Sequence, residues 1–251
     1  MKNIKNIVIM IIFASLCTGI VHAATTKPFI IRNDKKRLVV KKLTADANGV
    51  LSYQTSGFSQ KLKPGQYLYA RVPMPASVKS AARKYRAKKY KDAVKEFSEA
   101  FKTARYLGWG SYCMLYAAKS LDSIKKKKEA VEKLQLLKKV PKDSEEVSWF
   151  LKAKQLEADI LIAEKEFDAA GKVLGIIAKA GDKKSAMFAN NAKGDILMAQ
   201  GKDSEALFMY LRNVILFNPD KSAPSTKAIT EVVKILKDEN NPRAEEFENM
   251  K

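Results

Sequence analysis

The sequence predicts a mainly α chain: a solenoid of about four stacked helix pairs with a capping helix behind it and a small β unit ahead of it. Two observations lead there. First, a small residue, an alanine twelve positions later and a bulky apolar residue four further on recur four times. They read Ala81–Ala93–Phe97, Ala118–Ala130–Leu134, Ala158–Ala170–Leu174 and Gly194–Ala206–Tyr210. The middle alanines lie 37, 40 and 36 residues apart, and periods in this range mark stacked supersecondary units rather than one globular core. Second, the residues before Pro75 carry short β-prone runs and turn signals instead of helical periodicity. With 46% hydrophobic and 29% charged residues the chain is globular, not disordered.

Residues 1–23 read as a secretory signal. Lys2 and Lys5 form a basic start, Ile7 to Val21 is an uncharged apolar run, and Val21-His22-Ala23 ends it with small Ala23 at the cleavage position and Val21 three before the cut. The run is short for a membrane span, which needs about 20 apolar residues. The expected location is therefore periplasmic or secreted, the alternative being an uncleaved anchor through residues 7–23. Leu16 stands where a lipoprotein signal has a small residue before its cysteine, which argues against a lipid anchor at Cys17.

Residues 24–75 form the predicted β unit. Phe29-Ile30-Ile31 and Leu38-Val39-Val40 are β-prone, Asn48-Gly49 is a hairpin signal before Val50–Tyr53, and Gly57 and Pro64-Gly65 punctuate two more turns. Tyr67 to Val72 alternates as a two-sided strand. Five short strands at this spacing suggest a small closed or curled sheet, similar at the level of pattern to the SH3-like barrels that precede repeat arrays in some bacterial envelope proteins. Val72-Pro-Met-Pro75 is a stiff extended connector.

Residues 76–219 hold the helix pairs. Twelve residues between the small residue and the alanine fit two antiparallel helices joined by a tight turn. In the fourth pair Ala186–Gln200 has helical apolar spacing, Gly201 stops it, and Asp203 can cap the next helix. Ala206 to Phe217 runs apolar almost all round, which predicts burial on several sides, and Pro219 ends it. Gly194 and Ala206 let two axes approach, with Tyr210 filling the space one turn later. Pro141 followed by Asp143 and Glu146 predicts a boundary and a reciprocal cap, and Gly181-Asp182 repeats the stop and cap. Lys125–Lys128 reads as a solvated turn. Residues 220–251 hold the capping helix, with Ile229, Val232, Val233 and Leu236 as its apolar stripe, and beyond Asn241-Pro242 a polar, acidic tail expected to fray.

Over residues 76–219 the pattern resembles the tetratricopeptide repeat. Tyr90-Lys-Asp-Ala93 with Phe97 and Ala100, Phe167-Asp-Ala-Ala170 with Leu174, and Gly201–Ala206 with Tyr210 and Pro219 carry the likeness. Lys84 departs from a large apolar position, Lys127 and Asp203 replace the aromatic before the alanine, and Leu137, Ile177 and Asn213 replace a small residue late in the second helix. The resemblance implies a groove lined by the first helix of each pair. Carried over one by one, its partner-binding positions are Tyr85 and Arg86, then Tyr112, Lys119 and Asp122, then Lys152, Gln155 and Asp159, and finally Phe188, Asn191, Asp195 and Met198. Aromatics, Arg and Met among amides and charges suit an interface. The Lys/Asn/Arg clamp that binds C-terminal carboxylates in this family is absent from Val78/Ala82, Leu115/Lys119 and Gln155/Asp159, so a chaperone-tail ligand is not expected.

Composition excludes much chemistry. His22 is the single histidine and leaves with the signal, as does Cys17, so Cys113 is the sole mature thiol and no intrachain disulfide forms. Without histidine or clustered cysteines the commonest catalytic bases and zinc sites are missing, and no Gly-rich phosphate loop follows a strand. The chain is expected to be no enzyme and to need no cofactor or metal. Loss of Lys2 and Lys5 lowers the formal charge from +20 to +18, which favours acidic partners. The expected function is an exported scaffold holding a protein or peptide partner of acidic character. The alternative is a basic module for an anionic polymer, of the cell wall or a nucleic acid. Nucleic acid is the less favoured, since export removes most access to it and the lysines form no dense stripe along the sequence.

Overall fold

A computed structural model of the protein describes residues 27–217 and 222–250. The signal segment, its cleavage point after Ala23, the anchor alternative and Pro219 as a helix stop lie outside these residues.

The β unit has six strands among the described residues: β1 (Phe29–Arg32), β2 (Arg37–Val39), β3 (Lys42–Ala45), β4 (Leu51–Gln54), β5 (Ser59–Leu62) and β6 (Tyr67–Arg71). They form two three-stranded antiparallel sheets, ordered β2-β1-β6 and β3-β4-β5, rather than a closed barrel. Beyond the five expected strands is β3, whose one large apolar residue, Leu43, gives no alternating signal. Ile30, Leu51, Tyr53 and Ala70 bury its inner face. In the β3–β4 hairpin the Asp46 carboxylate accepts from the backbone N–H groups of Asn48 and Val50, both at 2.9 Å. Gly49 is required twice over: its φ is +82°, and a Cβ there would lie 2.6 Å from the Tyr106 ring.

Ten helices follow among the described residues. They pair as α1 (Ala76–Arg86) with α2 (Tyr90–Ala104), α3 (Gly110–Ser123) with α4 (Lys127–Gln135), α5 (Ser144–Ala163) with α6 (Phe167–Ala178), and α7 (Lys183–Ala199) with α8 (Asp203–Phe217). Then come α9 (Ala223–Asp238) and the short α10 (Ala244–Glu248). The repeat residues sit where helices cross. Ala81, Ala93, Ala118, Ala130, Ala158, Ala170 and Ala206 are fully buried, as are Phe97, Leu134 and Leu174. A Cβ on Gly194 would come within 2.6 Å of the Tyr210 ring, so glycine sets the α7–α8 approach.

The turn within each pair has one geometry. Just past α1, α3, α5 and α7 the backbone enters the left-handed region at Lys88, Lys125, Lys165 and Gly201, with φ of 57°, 63°, 62° and 71°. Two backbone bonds close each turn, as in Lys88 N–H to Tyr85 O (2.9 Å) and Lys89 N–H to Lys84 O (3.0 Å). A residue with a side chain is about 1 kcal/mol less comfortable there than glycine.

One apolar core runs from the β unit through α1 to α5, a second joins α5, α6 and α7, and a third joins α8, α9 and α10. The change from strands to helices at residue 75 is therefore not a break in the core. Arg71 reinforces the joint. Its buried guanidinium donates to Asp143 at 2.6 Å and also to Glu145, at the start of α5. Trp109 beside it donates its indole N–H to Val72 O at 2.9 Å. Asp143 caps α5 as expected, accepting from Glu145 N–H at 3.0 Å. Glu146 does not complete a reciprocal cap. It turns inward and accepts from the Ser111 backbone N–H at 3.1 Å and from its hydroxyl at 3.3 Å.

Two further expectations are corrected. Helix α8 is not buried on several sides: Ala206, Tyr210, Asn213 and Val214 face inward, while Phe208, Ile215 and Leu216 are 59%, 69% and 63% exposed. It lies at the outside of the stack, and hydrophobic run length alone does not report that. The tail beyond Pro242 is not frayed over residues 244–248. It forms α10, whose Ala244 and Phe247 pack on α9. Among the described residues no helix is long and apolar enough to cross a membrane.

Candidate partner-binding site

The first helices of successive pairs lie side by side, α3 against α1 and α5, and α5 against α7. Their aromatic residues meet across the helix boundaries. Tyr85 of α1 contacts Tyr116 of α3 edge-on, with ring centres 5.0 Å apart. Tyr116 adjoins Trp149 of α5 at 6.3 Å. Tyr112 lies beneath, 4.5 Å from Tyr116 and 4.9 Å from Trp149. Tyr85, Tyr116 and Trp149 are partly exposed and Tyr112 is buried. Two ammonium groups stand over this ladder: Lys119 Nζ is 5.4 Å from the Tyr116 ring centre and Lys152 Nζ is 4.5 Å from that of Trp149. Burial, with Tyr116 next to it, pushes the Tyr112 hydroxyl up to about 12. Burial likewise raises Tyr85, so both remain neutral donors.

Of the sequence-predicted residues, Tyr85, Tyr112, Lys119 and Lys152 thus come together around Tyr116 and Trp149. Arg86 is exposed, and its Nε approaches Ala82 O at 3.4 Å. Asp122 is half-buried at the end of α3, where its charge reaches Lys127. Gln155 is half-buried on α5.

Further along the stack the surface turns acidic. Asp195 of α7 accepts from the Tyr210 hydroxyl at 2.8 Å and from Lys227 of α9. Asp159 of α5 is exposed as a whole, yet partial desolvation holds its carboxyl above the usual carboxylate range. Lys227 opposes that rise and Asp195 adds to it. Phe188 packs partly against the α5–α7 core and Met198 against the α8–α10 core.

Asn191 is placed differently. It is 4% exposed and its amide is engaged, donating to Pro224 O at 2.9 Å and accepting from Asn213 at 2.7 Å. Asn213 also donates to Met187 O at 2.8 Å and accepts from Asn190 at 2.9 Å. The asparagine that departs from the small residue of the repeat is thus the hub joining α7, α8 and α9.

Sequence reasoning missed Tyr116 and Trp149. For Tyr116 the signal was present: Tyr112 and Tyr116 are four residues, about one helical turn, apart. Trp149 needed the fold, because its place beside Tyr112 depends on how α5 packs. Cys113 is buried and its thiol is pushed up to about 12 by that burial, so it is a packing residue. Among the described residues no three His, Cys, Asp or Glu side chains are grouped to hold a metal.

Comparison with curated proteins returned no match. A family model described as a tetratricopeptide repeat-like domain matches residues 49–231. That span takes in β4 to β6 as well as α1 to α8 and half of α9, so the family unit begins before the first helix. Domains of this kind generally bind protein partners, are typically non-catalytic, and suggest an interaction scaffold. A match over most of the chain, on helix pairs whose crossing residues are the repeated alanines, establishes that this chain belongs to the tetratricopeptide repeat-like domain family.

Proposed function

We propose that the protein is an exported scaffold, without enzymatic activity, that holds a peptide segment of acidic, partly apolar character across α1, α3, α5 and α7. The observation that carries this reading is the ladder Tyr85–Tyr116–Trp149, which three separate helices bring together at the surface with the ammonium groups of Lys119 and Lys152 over its rings. Rings bury apolar side chains of a partner and the cations select acidic neighbours. Arg86 extends the cationic side. Asp122, Gln155, Asp159, Phe188, Asp195 and Met198 would continue the track toward its polar end. Tyr112 and Asn191 support it from beneath rather than contact the partner. The β unit, residues 24–75, serves as the N-terminal cover of the repeats at 76–219, and residues 220–251 as the C-terminal cover.

Affinity capture from envelope extract, washed at high salt, tests the binding surface. The unchanged chain should retain a partner that Trp149→Ala and Tyr116→Ala lose, each with a lowered melting temperature but still folded at the assay temperature by circular dichroism. A partner released by salt and indifferent to both substitutions would place recognition elsewhere. Intact mass of the exported protein tests processing: a chain beginning at Ala24 supports the secretory reading, and one retaining residues 1–23 supports the membrane-anchored alternative.

A further inference from the structure

The turns inside the helix pairs carry a preference that packing does not explain. Lys88, Lys125 and Lys165 occupy the left-handed position that Gly201 takes in the fourth pair. Their backbone bonds are those of Gly201, so the geometry does not call for lysine. None of the three makes an ion pair among the described residues. A side chain is thus placed three times where the backbone disfavours one, and what it brings to each turn is charge.

The first two turns concentrate that charge. Lys88 is followed by Lys89 and Lys91, and Lys125 by Lys126, Lys127 and Lys128, of which Lys126 also pairs with Glu129 at 2.6 Å. Between these turns lies a cleft of about 320 Å³ lined by Lys88, Lys89, Tyr90, Lys91 and Ile124, with one acid, Asp92. The edge is continuous in space: Lys127 of the second turn reaches Glu164 of the third at 2.8 Å. There the charge fades, because Glu164 and Glu166 flank Lys165, and Asp203 and Glu205 follow Lys202. The fold therefore gathers lysines that look scattered along the sequence.

We propose that this turn edge, centred on the cleft between the first two helix pairs, binds a linear phosphate-rich polyanion, at a place separate from the peptide surface on α1, α3 and α5. Lysine is a point charge on a flexible stem that needs no fixed acceptor geometry, so a lysine edge reads the density of negative charge rather than a particular oxyanion shape. A polymer of high charge density also gains by releasing its condensed counterions. Tyr90, in the cleft lining, meets Tyr85 edge-on at 5.8 Å, so the two surfaces adjoin at α1 without sharing Tyr116 or Trp149.

Titration calorimetry of the full chain with a short linear inorganic polyphosphate, at several salt concentrations and with poly-glutamate as the second probe, tests this. Polyphosphate should bind with steep salt dependence and poly-glutamate far more weakly. Lys88→Gly with Lys125→Gly should weaken polyphosphate about tenfold and flatten the log–log salt slope by roughly 1.5. The same change should raise Tm, by roughly 2–4 °C for each turn relieved. Lys88→Gln with Lys125→Gln should lose the same affinity without the gain in Tm. Lys172→Gln with Lys179→Gln, exposed lysines on α6 and at its C-terminal cap, should stay within about twofold of the unchanged chain. Trp149→Ala should leave polyphosphate binding intact. Equal loss in the α6 pair would reduce the effect to net charge, and poly-glutamate binding as tightly would assign the edge to an acidic protein segment. Loss of polyphosphate on Trp149→Ala would merge the two surfaces, and an unchanged Tm in the glycine pair would remove the backbone argument. Each of these results overturns the proposal.

Discussion

The two ends of the stack are sealed by different chemistry. At the N-terminal end the β unit is tied to α5 through charge: buried Arg71 bonds Asp143 and Glu145, its guanidinium lies 5.3 Å from the Trp109 ring centre, and Glu146 is buried on Ser111. At the C-terminal end the buried lock is a network of neutral amides: Asn213 bonds Asn190, Asn191 and Met187 between α8 and α7, and Asn191 donates on to Pro224 O of α9, with the Lys227–Asp195 pair at the more exposed margin. Between them the repeats pack mainly by apolar contact, the small crossing residues against Phe97, Leu134 and Leu174. The repeat pattern dictates the interior, where each pair buries its face on the next. It does not dictate how the first and last pairs are covered, and each end has its own polar lock.

The contrast can be broken most severely at the charged end. Arg71→Ala leaves the Asp143 carboxylate buried without its partner, and removal of one member of a buried pair costs about 3–5 kcal/mol. Urea denaturation should show that loss. A change below about 1 kcal/mol would mean that the β unit is held by apolar contact alone. In the middle, Ala170→Leu overpacks a fully buried crossing point and should cost about 1–3 kcal/mol. An unchanged midpoint would deny that the alanine sits at a crossing. At the amide end, Asn213→Ala strands Asn190, Asn191 and the Met187 carbonyl, at about 1–3 kcal/mol. Its effect should be the same at pH 5 and pH 8, because nothing in that network titrates.

The smallest effect sharpens the difference through pH. Desolvation raises the Glu146 carboxyl above its ordinary 4.5, outweighing the Ser111 hydrogen bonds that lower it. A carboxyl raised in the folded state favours folding when protonated, so this contribution is full below the ordinary value and is lost as pH climbs through the raised one. Glu146→Gln should therefore melt higher than the unchanged chain at pH 7, and the two should converge below pH 4.5. A constant offset at every pH would show that the charge of Glu146 is not what burial penalises.

Much of the interior was legible because it is periodic. Small residue, alanine and bulky residue at fixed offsets predict crossings, and Ala81 to Tyr210 sit at them. Turn chemistry was legible where one residue type suffices, as at Gly201, Asp182 and Asn48-Gly49. What escaped depends on partners distant in sequence. Glu146 had the spacing of a cap, but Ser111, 35 residues away, offers two donors instead. Strand β3 is specified by its neighbour β4 and not by its own composition. Helix α8 shows the limit of reading burial from apolar runs, since Ile215 and Leu216 face outward beyond the last pair. In the candidate site the first helices and their cations were readable from the repeat, whereas the pairing of Trp149 with Tyr112 is a product of the α3–α5 packing.

The aromatic residues have an optical consequence. The chain contains two tryptophans, and the fold assigns them to different compartments. Trp109 is sealed at the joint with its indole N–H on Val72, while Trp149 is partly open with the Lys152 ammonium 4.5 Å from its ring centre. Emission from the unlabelled protein is then a two-channel signal. Iodide, drawn toward Lys152, should quench Trp149 and spare Trp109. Occupancy of the binding surface and loosening of the joint can thereby be followed separately in one cuvette, without a dye.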